Sequence, residues 1–332
     1  MQLDQTHVKV RVRTLSEIGD LSLIMLRHYP RAIFGAFAIG AAPWVLLNAL
    51  LLYWLPIREA SYGLEDEEAR AQLLRYGWWM CVLVFLQTPA AGIVTTIYLG
   101  EAVFEQRPTV RSAIKKARSQ FWRWFPRLAI YRMAVPAMVL AAMMWGSDGD
   151  AAVDVFLLGM LLVWALIVRG ARPFLPEMIV LEMCPVRSKD PAAITLRRRS
   201  KALHGPGGGD VGSRFIVIGM TLIVIGASFL YGMTWVQGVI TGKWKLGLMT
   251  LLVYFPLSLW LISGIAVLVR LLAYLDTRIR FEGWDVELAL RAEAMRQFGD
   301  EDSPIAQDPR SINAKRVAQT TVKQDQTAGV GS

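Results

Sequence analysis

Phe215-Ile-Val-Ile-Gly-Met-Thr-Leu-Ile-Val-Ile-Gly-Ala-Ser-Phe-Leu-Tyr-Gly-Met-Thr-Trp-Val-Gln-Gly238 runs for 24 residues without an Asp, Glu, Lys or Arg. A hydrocarbon core of ~30 Å needs about 20 helical residues to cross it. Lipid offers the backbone no hydrogen-bond partners, so a run of this kind must be helical. Residues 32–55, 77–100 and 246–269 read the same way, while 128–146 and 151–168 are shorter runs with one charge near an end. The expected fold is all-α: a polytopic membrane protein with six transmembrane helices and basic interfacial helices on the cytoplasmic side.

Composition agrees. Of the 332 residues, 54% are hydrophobic, and the charges fall almost wholly between the apolar runs, whereas a soluble domain would spread them along amphipathic elements. The first apolar run begins too late and runs too long for a cleavable signal peptide. Cys81 and Cys184 lie far apart, as do His7, His28 and His204. Zinc sites need closely spaced Cys and His, so neither a metal nor any other cofactor is expected.

Orientation follows from the Lys and Arg residues between the spans. Alternate segments hold 31 of them against 5, which predicts cytoplasmic N- and C-termini in a plasma (inner) membrane. Positive-inside topology and anionic inner-leaflet lipid account for the net charge of +9, so membrane lipids are the expected partners and no nucleic acid is expected. The expected division is a cytoplasmic N-terminal segment with an amphipathic helix (1–31), a six-span membrane domain (32–272), a cytoplasmic helical tail (273–299) and a polar tail expected to be disordered (300–332).

Each of three hairpins is preceded by a basic stretch of helical pattern, an arrangement that reads as a degenerate internal repeat. Thr14-Leu-Ser-Glu17 matches a capping box, with Leu15, Ile18, Leu21, Ile24 and Met25 following at helical spacing. Before the third span, Lys115, Lys116, Arg118 and Arg123 interleave with Phe121, Trp122 and Trp124. Before the fifth stand Arg197, Arg198 and Arg199. Bases with aromatics suit helices lying among lipid headgroups, and these seven cations are the candidate lipid contacts.

Inside the spans, Arg132 and Asp154 are the ionisable residues to examine. Their depths differ too much for them to pair, and both are expected to snorkel toward opposite interfaces. Asn48 and Gln87 are placed to meet across the first hairpin as packing glue. Pro43, Pro89, Pro136 and Pro256 interrupt spans, and paired broken helices can mark transporter sites. The glycine run His204–Gly212 lacks the phosphate-loop pattern and reads as a hinge. Neither a Gly-x-Ser-x-Gly motif nor a buried Ser–His or Asp–Asp combination occurs in the sequence, and no enzymatic activity is expected.

The tail after the last span is the most distinctive text: Asp276, Arg278, Arg280, Glu282, Trp284 and Asp285. Asp276/Arg280 and Arg278/Glu282 are i,i+4 opposites, Gly283 breaks the run, and Asp285 suits a second helix start. The preferred reading is that this segment folds back on the cytoplasmic loops; a docking surface for a protein partner is the alternative.

Two segments carry a resemblance: Arg172-Pro-Phe-Leu-Pro-Glu-Met-Ile-Val-Leu-Glu182, and the tail Asp-x-Arg-x-Arg-x-Glu-Gly-Trp-Asp beginning at Asp276. With the hydropathy of residues 14–281, they resemble uncharacterised bacterial multi-pass proteins similar to the membrane domain attached to some glycerophosphodiester phosphodiesterases. The phosphodiesterase barrel is absent, so no catalytic residue carries over. The resemblance implies a bacterial plasma-membrane setting. The expected role is an accessory or scaffold component of a membrane complex, the alternative being a small-solute or lipid transporter using the kinked spans. A buried polar cavity would favour transport; a solid bundle with an ordered cytoplasmic face would favour the scaffold.

Overall fold

The computed structural model describes residues 14–61, 67–103, 108–145, 151–185, 194–205, 208–242, 244 and 247–282. One compact unit ends at Glu282; a second, Gly283–Ser332, lies outside the described residues, and with it Trp284 and Asp285.

The described residues are helical and turn. In chain order come α1 (Leu15–His28), a π-helical turn (Ala32–Phe37), α2 (Ala38–Leu52), α3 (Trp54–Ala60), α4 (Glu67–Ala91), α5 (Ile93–Val103), α6 (Val110–Ser119) and α7 (Phe121–Phe125). A second π-helical turn (Pro126–Ile130) leads to α8 (Ala134–Met143), α9 (Ala151–Ala171), α10 (Leu175–Val180), α11 (Leu196–His204) and α12 (Gly208–Thr241). A third π-helical turn (Thr250–Tyr254) opens α13 (Phe255–Glu282). Four helices are long and apolar enough to cross a membrane, and six crossings result if each of two bent pairs is one span.

The bends have local causes. Proline lacks the N–H that would bond the carbonyl four residues back. Pro89 precedes the 43° bend between α4 and α5, and Pro136 follows the 57° bend that opens α8. At the second bend Met133 is left-handed, with φ of 65°, a conformation that costs a non-glycine residue of order 1–3 kcal/mol.

α4 lies at the centre of the bundle, against α2, α9 and α13. Close backbone approach fixes its lower end: a Cβ at Gly40 would lie 2.2 Å from the Ala91 carbonyl oxygen, and one at Gly92 would lie 2.4 Å from Val267. Asn48 and Gln87 exchange two hydrogen bonds of 2.8 and 2.7 Å, as expected from sequence, and Thr88 bonds Ser263 at 3.0 Å. Interhelical bonds of this kind contribute about 0.6–2 kcal/mol in lipid. α12 is the outlier. Only 6% of its most apolar stretch is buried, against 44% for Thr250–Phe281.

The interfacial helices form where the sequence places them. The Thr14 hydroxyl accepts from Glu17 N while Thr14 N donates to Glu17 Oε2 at 2.8 Å, completing the capping box, and Thr109 caps α6 through Ser112 N at 3.1 Å. α1 buries Ile18, Ser22 and Met25 and packs on α13. It stops at His28 because Tyr29 precedes Pro30, and the residue before a proline is pushed out of the helical region.

Candidate functional site

The segment 172–184 forms a strap across the ends of the spans, on the side of α6 and α11. Its first proline pair, Pro173 and Pro176, prevents α9 from continuing and opens α10. Glu177, fully buried, accepts from Arg270 Nε of α13 at 2.7 Å. Glu182 accepts two bonds of 2.6 Å from the Arg199 guanidinium of α11 and one of 2.5 Å from the Tyr274 hydroxyl of α13, with Arg278 Nε at 3.5 Å. The strap backbone is held as well: Arg132 donates to the Arg172 carbonyl at 2.6 Å and Arg123 to the Met183 carbonyl at 2.8 Å. Phe174 stacks on His204 and tilts against Tyr274, with ring centroids 5.5 and 5.9 Å away. Two carboxylates, spaced five residues apart, thus bind α13 and α11 into one layer.

Electrostatics follow the geometry. Burial raises the Glu182 carboxyl pKa, but hydrogen bonds from Arg199 and Tyr274 and the charges of Arg278 and Arg199 more than offset this, holding it below the usual range. Burial, with the neighbouring Glu182 charge, pushes the Cys184 thiol up to about 11, so it stays protonated. Burial lowers the His204 pKa, opposed by its bond to the Ser200 carbonyl.

The candidate lipid contacts separate into two kinds. Lys115, Arg118, Arg197 and Arg198 are exposed. Lys116 pairs with Glu101 of α5, Arg123 is spent on the strap, and Arg199 is half-buried on Glu182. The tail residues also divide. Asp276, 1% exposed, accepts from Arg280 Nε at 2.8 Å, the i,i+4 pair expected from sequence, and from Arg214 of α12 at 3.3 Å. Arg278 reaches across to Glu182, while Glu282 ends α13. Residues 274–280 therefore face the chain's own strap and α12. Residues 172–182 and 274–280 thus touch each other.

Arg132 and Asp154 do not snorkel; both are buried, at 3% and 1% exposure. Each finds a partner that hydropathy counting does not reveal. Arg132 is taken by the strap. Asp154 Oδ2 accepts from Arg75 Nε and from Trp79 Nε1. A lone charge in lipid must reach the interface, but a charge with an internal partner can stay in the bundle. Asp154 and Arg169 bound α9 about 22 Å apart at 1.5 Å per residue, so the charged layers lie toward opposite ends of the bundle.

Arg169 was not singled out from the sequence. It lies 4.0 Å over the Phe85 ring and donates to the Phe85 carbonyl at 2.6 Å. That carbonyl is the one freed by Pro89. The same device recurs at Pro256: the Leu252 carbonyl accepts from Tyr53 at 2.6 Å and the Leu251 carbonyl from Tyr76 at 2.8 Å. Leu252 lost its α-helical donor, and Leu251 the donor that its π-helical turn would supply. The kinks at Pro89 and Pro256 are thus closed by the protein itself.

Among the described residues, no three His, Cys, Asp or Glu side chains come together as a metal-binding group. A cavity of about 780 Å³ lies beside Pro43 and is lined almost wholly by apolar side chains. No family model, curated protein or solved structure matches the chain.

Proposed function

We propose that the chain is an accessory or scaffold component of a membrane complex, set in a bacterial inner membrane with both termini cytoplasmic. The observation that carries this reading is α12: a helix of 34 residues in whose most apolar stretch only 6% of the residues are buried by its own chain. Its outward side, including Met220 and Ile223, each more than 60% exposed, is offered to a transmembrane helix of another protein. Membrane helices associate by side-chain packing, and Gly219 and Gly232 have no neighbour within 4 Å of where a Cβ would stand.

The rest of the bundle weighs against the transporter alternative. Alternating access moves one group of helices against another around a central site. Here the carbonyls freed at Pro89 and Pro256 are capped internally, and the strap ties α11 and α13 together on one side. The bacterial setting rests on the resemblance of residues 172–182 and 276–285, and the orientation on the basic-residue asymmetry.

The test is a photo-crosslinking side chain at position 220 or 223 in native membranes, with position 139 of α8 as a second lipid-facing site. The scaffold reading predicts one protein adduct of defined mass at 220 and 223 and lipid adducts at 139. Lipid adducts alone at all three positions would refute it.

A further inference from the structure

The cavity beside Pro43 has features that a simple gap between helices lacks. One wall is α2, from Ile39 to Leu51; the floor is Ala90, Ile93 and Val94 at the α4–α5 bend; the other wall is α8, from Val135 to Ala142. The twelve helical steps from Ile39 to Leu51 give a length of ~18 Å, close to the ~15 Å that one leaflet contributes to the hydrocarbon core. The lips are open to the bilayer, with Leu47 41%, Leu50 62% and Val139 52% exposed.

The two ends differ in chemistry. At the Leu50–Leu51 end the lining is apolar. At the other end α6 and α7 lie across the groove, with Ile114, Ala117, Phe121 and Trp124 in its wall and Arg118 as the single charged lining residue. Arg118 is the last of three bases, Arg111, Lys115 and Arg118, at i, i+4 and i+7 and so on one face of the helix. The opposite face buries Ala113 and Ala117. All three bases are exposed, and none has an acidic partner among the described residues, whereas Lys116 on the flank is committed to Glu101. Trp124 Nε1 donates to the Ala117 carbonyl at 2.9 Å, fixing the angle between the basic helix and the third span.

We propose that this groove is a binding site for an anionic phospholipid of the cytoplasmic leaflet. One acyl chain lies between α2 and α8, and the phosphate-bearing headgroup lies against Arg111, Lys115 and Arg118. The groove supplies length-matched apolar surface, and the unpaired bases supply charge complementarity at one end only, which sets the direction in which the lipid enters. A zwitterionic lipid satisfies the first requirement and not the second. This site stands apart from α12 and does not depend on the scaffold reading.

The experiment uses the full chain in bilayers of phosphatidylcholine containing spin-labelled phosphatidylglycerol or spin-labelled phosphatidylcholine. The relative association of each with the protein is read from the motionally restricted spectral component. The unaltered protein is expected to prefer phosphatidylglycerol by on the order of tenfold, since each base near an anionic surface contributes roughly a fivefold factor, partly screened. Replacing Arg111, Lys115 and Arg118 together with Gln should bring the preference close to one while leaving the number of restricted lipids unchanged. Ala142→Phe and, separately, Val139→Trp, both at exposed positions on the lip, should remove the preferred site while the bases remain. Arg70→Gln, at an exposed position near the start of α4 and outside the candidate lipid contacts, should change neither. A preference that survives both filling variants would show that the bases act as a general surface charge and would overturn the groove proposal. So would equal association of the two lipids with the unaltered protein. Each variant is first required to give the unaltered helical circular dichroism, and either filling variant alone suffices for the test.

Discussion

Glu182→Gln removes the charge that ties the strap to both α11 and α13. Glutamine has the shape of glutamate but one acceptor oxygen and no charge, and it brings an NH₂ donor into a site already occupied by donors. Of the Arg199 fork, the Tyr274 hydroxyl and Arg278, at most two bonds can survive. Breaking a buried charged pair by removing one partner costs about 3–5 kcal/mol. The Arg199 and Arg278 side chains are 17% and 20% exposed and regain some water, so about 2–4 kcal/mol is expected. If the strap opens locally, this free energy appears as faster hydrogen exchange at amides of α11 and residues 274–282. About 2 kcal/mol corresponds to roughly thirtyfold. The effect has a pH signature. A carboxyl whose pKa is lower in the folded state stabilises that state above its unfolded value, about 4.3 for Glu, and the contribution fades as pH falls through the folded value. The native protein should therefore lose protection in α11 on acidification below about pH 4, with a steeper dependence than Glu182→Gln. Exchange in α11 that changes less than threefold on substitution at pH 7, with the rest of the bundle intact, would refute the argument.

Two further substitutions test the buried charges and the kinks. Asp154→Asn removes the carboxylate that accepts from the buried Arg75 Nε and should cost about 3–5 kcal/mol in thermal unfolding in detergent, while the Arg75→Met/Asp154→Leu double variant recovers most of it; equal losses in both would contradict the pairing. Pro89→Ala restores the helical donor to the Phe85 carbonyl, so Arg169→Met should cost at least ~1 kcal/mol less in that background than in the native one, and a purely additive cycle would separate Arg169 from the kink.

Much of this fold is legible in one dimension. Span positions follow from apolar runs, the start of α1 from a capping box, the Asp276–Arg280 pair from i,i+4 spacing, and the Asn48–Gln87 contact from depth alone. What hydropathy conceals is which charges are shared between helices. Arg75 stands in the loop count as an external base, yet it precedes Tyr76, Trp79 and Leu83 on the buried stripe of α4. Arg199 likewise borders Leu196, Ser200 and Leu203, the buried face of α11, while Arg197 and Arg198 point outward. Helical phase distinguishes these neighbours, and charge counting does not. The donors to the carbonyls at Pro89 and Pro256 come from other helices and are set by tertiary packing, so no local pattern announces Arg169, Tyr53 or Tyr76.

The strap and the basic interfacial helices share one side of the bundle, with the Arg75–Asp154 layer toward the other. Single cysteines in a background with Cys81 and Cys184 replaced, placed at position 61 after α3 and at exposed position 197 of α11, report this directly when labelled in intact cells with a membrane-impermeant maleimide. Labelling is expected at 61 in intact cells, and at 197 only after permeabilisation. Labelling of both positions in intact cells, or the reverse order, would contradict it.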